Sequence, residues 1–178
     1  ISAERIWVET EKALKTNNPE VYFQSLQDCG ALQVLFPEIS ALFGVPQTAT
    51  HHPEVDTGVH VLMALQQAVK LGASNEARFA VLLHDLGKGT TPESEWPRHI
   101  AHEHRGVDLV QAVCARLKAP RSYRDLAVAV CRYHLLSHQA LLLRPQTLLK
   151  LIKGCDALRR PERFEAFLVA CEADARGR

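Results

Sequence analysis

All nine histidines of the chain fall between His51 and His138, about half of its 178 residues. Imidazole is the commonest side-chain ligand for transition metals, so this clustering points to metal chemistry. The segment 57–72 is apolar nearly all round (Val59, Val61, Leu62, Met63, Leu65, Val69), which reads as a buried helix carrying His60. The segment 78–89 ends in His84-Asp85 against Gly87 and Gly89, residues that can terminate a helix. Carbonyls at such an end carry partial negative charge and favour a cation. A buried His and Asp side by side without partners would be costly.

Helical spacing brings further polar groups to the same face. His134 continues the stripe Ala127, Val130, Cys131, and Asp156 continues Leu149, Ile152. His102 extends the stripe Gly106, Val110, Val113, Leu117 backwards, with His99 near it, while His104 and His138 fall off the stripes. His60, His84, Asp85 and Asp156 are therefore expected to converge from three helices as metal ligands. Two imidazoles and two carboxylates suit Mn²⁺, Ni²⁺, Co²⁺, Zn²⁺ or Mg²⁺, with open positions for water. His102 and His134, with His99 and Arg98 alongside, are candidates for a second ion or a substrate phosphate. Lys88 is a candidate phosphate contact. A buried His–Asp hydrogen-bond network without metal fits the same spacing.

The elements that must position these groups are helical. Apolar residues recur at three and four, and strand signals are nearly absent. The expected helices cover 3–16, 19–29, 57–72, 75–86, 100–117, 121–136, 146–158 and 161–175, with Thr57 as an N-cap. The fold class is all-α. The expected division is a helical segment 1–50, a metal-binding domain 51–160 and a C-terminal helix 161–178, with its softest boundary at 44–53.

Composition narrows the class further. Hydrophobic residues make up 47% and charged residues 23%, as in ordinary globular proteins. No apolar run reaches the roughly 18 residues of a membrane span. The start, Ile1-Ser2-Ala3, reads as a piece cut from a longer protein. Residues 115–178 carry 13 basic and 6 acidic side chains, a candidate footprint for a phosphate backbone or a solvated helix face. Four of the five cysteines sit in apolar helical patterns and there is no CxxC, so they read as reduced core residues of a cytoplasmic protein.

The pattern His60…His84-Asp85…Asp in an all-helical chain resembles the HD superfamily of metal-dependent phosphohydrolases. Several blocks resemble more narrowly the bacterial CCA-adding tRNA nucleotidyltransferases of the multifunctional form. These are Glu4-Arg5-Ile6-Trp7, Asp28-Cys29-Gly30-Ala31-Leu32, Leu35-Phe36-Pro37-Glu38, Leu42-Phe43-Gly44-Val45-Pro46, His52-Pro53-Glu54-Val55-Asp56 through His60, His84 through Gly89, Trp96-Pro97-Arg98-His99 and Glu172 through Arg178. The resemblance implies an RNA-binding body over 1–50 and an HD domain acting on 2′,3′-cyclic phosphates, 2′-nucleotides and phosphomonoesters. It implies the tRNA 3′ end or small nucleotide phosphates as partners, and a homodimer. ATP and CTP would serve only a nucleotidyltransferase head, whose paired carboxylates this sequence lacks. On this reading His84 and Asp85 are catalytic, Lys88, Arg98 and His102 steady phosphoryl charge, and His134 is the general acid. The family's tyrosine–histidine block continues into an Asp, whereas Tyr133-His134 runs into Leu135. One firmly held ion is the expectation. A catalytically silent RNA-binding body and a free-standing nucleotide hydrolase are the alternatives.

Overall fold

The computed structural model describes residues 1–48 and 55–177. His51, His52, Pro53, Glu54 and Arg178 lie outside the described residues, and with them part of the expected boundary at 44–53. Among the described residues ten α-helices follow in order: α1 Ala3–Leu14, α2 Pro19–Asp28, α3 Ala31–Leu35, α4 Pro37–Ser40, α5 Thr57–Lys70, α6 Asn75–Leu83, α7 His102–Leu117, α8 Arg121–His138, α9 Pro145–Gly154 and α10 Pro161–Arg176. One isolated antiparallel bridge, Pro46 to Asp56, is the only strand-like pairing among the described residues. The fold is all-α. No described helix is long and apolar enough to cross a membrane.

Local chemistry sets the helix starts. Proline opens α2, α4, α9 and α10, where its missing N–H costs nothing. The cap of α5 falls on Asp56, one residue before the expected Thr57. Asp56 accepts from the Val59 N–H at 3.0 Å, while the Thr57 hydroxyl donates to the Val45 carbonyl at 2.9 Å.

Helices α5, α6, α7, α8 and α10 pack on one another to make the bundle around the histidines. Helix α1 docks on it through Trp7, whose ring meets Phe79 at 5.2 Å and Tyr123 at 4.8 Å, both edge-on. Arg78 donates to the carbonyls of Leu14 and Thr16, satisfying groups that the end of α1 leaves open. Two carboxylates of α1 complete its attachment, Glu4 on Lys118 and Glu11 on the Tyr123 hydroxyl, while Glu38 of α4 holds Arg116 bidentately.

Two glycines bring the His-Asp turn against α7. A Cβ at Gly87 would be driven into the His102 carbonyl, and one at Gly106 would lie 2.6 Å from the Cys131 sulfur. Only glycine permits that approach.

Candidate metal centre

His60 projects from the first turn of α5, His84 caps the end of α6, and Asp85 follows it directly. His102 opens α7, and His134 and His138 occupy the last turns of α8. The second carboxylate is Asp174, near the end of α10. His60 Nε2 stands 2.9 Å from Asp174 Oδ1 and 3.9 Å from Asp85 Oδ2. His84 Nε2 stands 3.2 Å from Asp85 Oδ2 and 3.3 Å from Asp174 Oδ1. The other oxygen of Asp85 faces His102 Nε2 at 3.2 Å and His134 Nε2 at 3.7 Å. His60, His84, Asp85, His102, His134 and Asp174 are all buried.

The expected ligand Asp156 is not among them. Helix α9 ends at Gly154, and Asp156 lies beyond it with φ of 52°, facing Arg159, Arg160 and Arg163. The stripe that pointed to it is only partly covered, Leu149 being 47% exposed. Asp174 continues a stripe that is buried throughout, Phe167, Ala170 and Cys171, by the same spacing that marked His134. That signal was present in the sequence, on the helix set apart at 161–178.

Four rings have their orientation fixed from behind. Nδ1 of His60 meets the Gly177 carbonyl at 2.9 Å, that of His84 the Val81 carbonyl at 2.6 Å, and that of His102 the His99 carbonyl at 2.9 Å. His134 Nδ1 meets the carbonyls of Val130 and Cys131, each at 3.1 Å. A carbonyl only accepts, so each Nδ1 carries a proton. Nε2 of His60 pairs with Asp174, while those of His84, His102 and His134 face carboxylate oxygens, which also only accept. His84 Nε2, His102 Nε2 and Asp85 Oδ1 are buried with no hydrogen-bond partner. Such atoms in a native core need an explanation, and a cation between them supplies one.

The spacing fits. Ligand atoms each about 2.1 Å from one ion sit about 3 to 3.5 Å from one another; the candidate atoms of His60, His84 and Asp174, and those of His84, Asp85 and His134, all lie within 4.8 Å of one another. Electrostatics agrees. Burial opposes charge on His84, yet Asp85 and Asp174 outweigh it and hold its pKa well above the ordinary value. Burial also works to raise Asp85 and Asp174, but His84 overrides it in both, with Lys88 at Asp85 and His138 at Asp174, leaving both well below the usual range. Two buried carboxylates demand positive charge between them.

His134 differs. Burial and the neighbouring His84 push its pKa down to about 3. With its proton tied to the backbone and its lone pair on the cluster, it is set up as a ligand rather than the expected general acid.

A cleft of about 580 Å³ opens onto the cluster, its wall including Lys88, Arg98, His102, Leu135 and His138. Lys88 reaches Asp85 Oδ2 at 2.8 Å and also donates to Gln47. Arg98 is exposed at the cleft's mouth. Leu135 belongs to the wall. His99 turns away from the carboxylates: its Nε2 donates to the Pro46 carbonyl at 2.7 Å, while its own carbonyl orients His102. Sequence reasoning missed His138, which holds Asp174 Oδ2 at 2.7 Å from the off-stripe side of α8.

A buried His–His-Asp–Asp cluster in an all-helical bundle is the defining arrangement of one class of protein, and the chain belongs to it: residues 57–160 match the HD domain model. Residues 1–43 match a second model, described as "Probable RNA and SrmB- binding site of polymerase A". Along its full length the chain is similar to proteins named Multifunctional CCA protein. It is 60% identical to that of Hahella chejuensis over 178 residues and 56% identical to that of Pseudomonas syringae over 178 residues. Over 175 residues, 98% of the chain, it is 61% identical to that of Thioalkalivibrio sulfidiphilus. It spans 42% to 44% of the length of these relatives. Asp174 lies outside the segment matched to the HD model, so α10 supplies a carboxylate from beyond that match.

Proposed function

We propose that the chain is a divalent-metal-dependent phosphohydrolase acting on 2′,3′-cyclic phosphates, 2′-nucleotides and phosphomonoesters, within a protein that works on the tRNA 3′ end. The observation that carries this is the trio His84 Nε2, His102 Nε2 and Asp85 Oδ1, buried without hydrogen-bond partners beside a second buried carboxylate, Asp174. His60, His84, Asp85 and Asp174 would hold a divalent ion, which supplies Lewis-acid polarisation and an activated water.

The remaining work belongs to the chain's own groups. Lys88 and Arg98 place two cations along the cleft, where they neutralise phosphoryl oxygens entering from solvent. Gln47 and Asp85 hold the Lys88 ammonium in place, so its position is set before substrate arrives. His138 fixes the free oxygen of Asp174, orienting that carboxylate. Asp85 Oδ1, His102 and His134 form a second set that can take a second ion. Any CCA addition with CTP and ATP would be the work of residues outside this segment.

The test is elemental analysis of purified protein together with hydrolysis of 2′,3′-cyclic AMP. Bound divalent metal, and hydrolysis lost on chelation and restored by Ni²⁺, Mn²⁺, Co²⁺, Zn²⁺ or Mg²⁺, is the expected result. Metal-free protein that binds none of these ions would overturn the reading.

A further inference from the structure

The cleft over the metal centre has one carboxylate in its wall among the described residues, Glu103, which has no part in the hydrolysis proposed above. It follows His102 in the first turn of α7. Its Oε2 lies 4.0 Å from His102 Nδ1, whereas the Nε2 of that ring faces Asp85 at 3.2 Å. The two nitrogens of an imidazole point apart, so in this arrangement Glu103 does not join His102 Nε2 and Asp85 around one ion. Nor does it orient the ring, because His102 Nδ1 is already taken by the His99 carbonyl at 2.9 Å.

The carboxylate is held from the solvent side. Arg132 donates to His104 Nδ1, which leaves His104 Nε2 to carry the proton. That nitrogen stands 3.5 Å from Glu103 Oε1, on a half-exposed ring. No Lys or Arg among the described residues pairs with Glu103. A carboxylate beside a phosphate repels it unless the same molecule also brings a hydrogen-bond donor. The phosphoryl group itself goes to the cations Lys88 and Arg98. Ribose hydroxyls are the donors that every ribonucleotide carries, and the one on the carbon next to the ester lies nearest the phosphorus. Glu103 stands one imidazole ring away from the Asp85 cluster, on the side where that hydroxyl would fall. Thr48 and Gln139, in the same wall, donate as well as accept and so do not select for a donor.

We infer that Glu103 is a specificity-determining residue, accepting a hydrogen bond from the ribose hydroxyl vicinal to the scissile phosphate. This rests on the phosphohydrolase reading and divides its substrates. A 2′-nucleotide keeps its 3′-hydroxyl free, whereas a 2′,3′-cyclic phosphate has both oxygens bound to phosphorus and offers no such donor. Hydrolysis of the 2′-nucleotide consumes water, breaks one P–O bond and releases a nucleoside and inorganic phosphate. Glu103 makes and breaks none of those bonds; it holds the sugar.

The experiment measures kcat and KM for 2′-AMP, 3′-deoxyadenosine 2′-phosphate and 2′,3′-cyclic AMP, with the metal content of each protein. It compares the unmodified chain, Glu103→Ala and Glu103→Gln. In the unmodified chain kcat/KM for 2′-AMP should exceed that for the 3′-deoxy compound by about 10-fold or more, the span of a hydrogen bond to a charged group. Glu103→Ala should erase that ratio through loss on 2′-AMP, with the other two substrates within about 2-fold and metal content unchanged. Glu103→Gln keeps the shape and a neutral acceptor, so it should fold as the unmodified chain does and retain part of the ratio. A ratio near one in the unmodified chain, or a ratio preserved in both variants, would overturn the role of Glu103 alone. Equal loss on all three substrates, or loss of metal, would do the same by making Glu103 structural. Hydrolysis of none of the three by the metal-loaded, unmodified chain would overturn the phosphohydrolase reading with it.

Discussion

At the scale of single residues, the metal centre distinguishes two aspartates that sequence spacing treats alike. Asp174→Asn should lower metal retention and 2′,3′-cyclic AMP hydrolysis by about 100-fold or more, beyond what loss of an outer partner costs. Asp156→Asn should leave both within about 2-fold, because Asp156 faces arginines rather than the cluster; elemental analysis and initial rates check the pair. His60, His84 and Asp85 were legible because each lies in or beside a strongly apolar helix whose inward face is unambiguous. Asp156 misled because a stripe marks a buried face only if something covers it, and Leu149 is half-exposed. The roles of His99 and His138 were illegible for another reason. One acts through a main-chain carbonyl and the other through the far oxygen of a carboxylate, and neither leaves a periodic trace in sequence.

At the scale of elements, periodicity showed the long helices and lost the short ones. Helices α3 and α4 have five and four residues, too few turns for a repeat to emerge. The contact between the His-Asp turn and α7 rests on Gly106. Gly106→Ala gains helix propensity of about 1 kcal/mol but forces a methyl onto Cys131 in a filled core, at about 1 to 3 kcal/mol. The net effect should be a Tm lowered by about 0 to 8 °C, with no gain. Adding Cys131→Ala should recover part of the loss, since the clash is between those two groups; calorimetry of the four proteins of that cycle measures it.

The attachment of α1 and α4 to the bundle should depend on pH. The Tyr123 hydroxyl and then Lys15 hold Glu11 below the usual carboxylate range. Burial works to raise Glu38, but Arg116 overturns it and leaves it lowered too. A depressed carboxylate contributes stability that is complete above its unfolded pKa, about 4.3, and is lost as the pH falls through the lower folded value. Fluorescence of Trp7 in a Trp96→Phe background should therefore report loosening of α1 on acidification. Glu11→Gln with Glu38→Gln should flatten that acid branch and leave the neutral-pH spectrum in place.

For the molecule as a whole, the metal centre ties α5, the end of α6 and α10 at one point, with α7 and α8 set against it. Metal held at 100 times its Kd would stabilise the fold by about 2.7 kcal/mol, so chelation should lower Tm by about 5 to 11 °C in a chain of this size. Scanning calorimetry with and without EDTA checks this, and Asp174→Asn should abolish the difference.

The same arrangement has a consequence in time. His60 and Asp174 are 114 positions apart in the chain. At about 5 to 20 residues per second, a ribosome needs roughly 6 to 23 s to travel from one to the other. For that interval the nascent protein holds His60, and progressively His84, Asp85, His102 and His134, without the carboxylate that completes the set. Completion of the set would thus come late in synthesis, after α5, α6, α7 and α8 have been made. A stalled or prematurely released chain ending before α10 would carry histidines with affinity for metal but no finished cage, and would exchange its ion freely with the cell's small chelators.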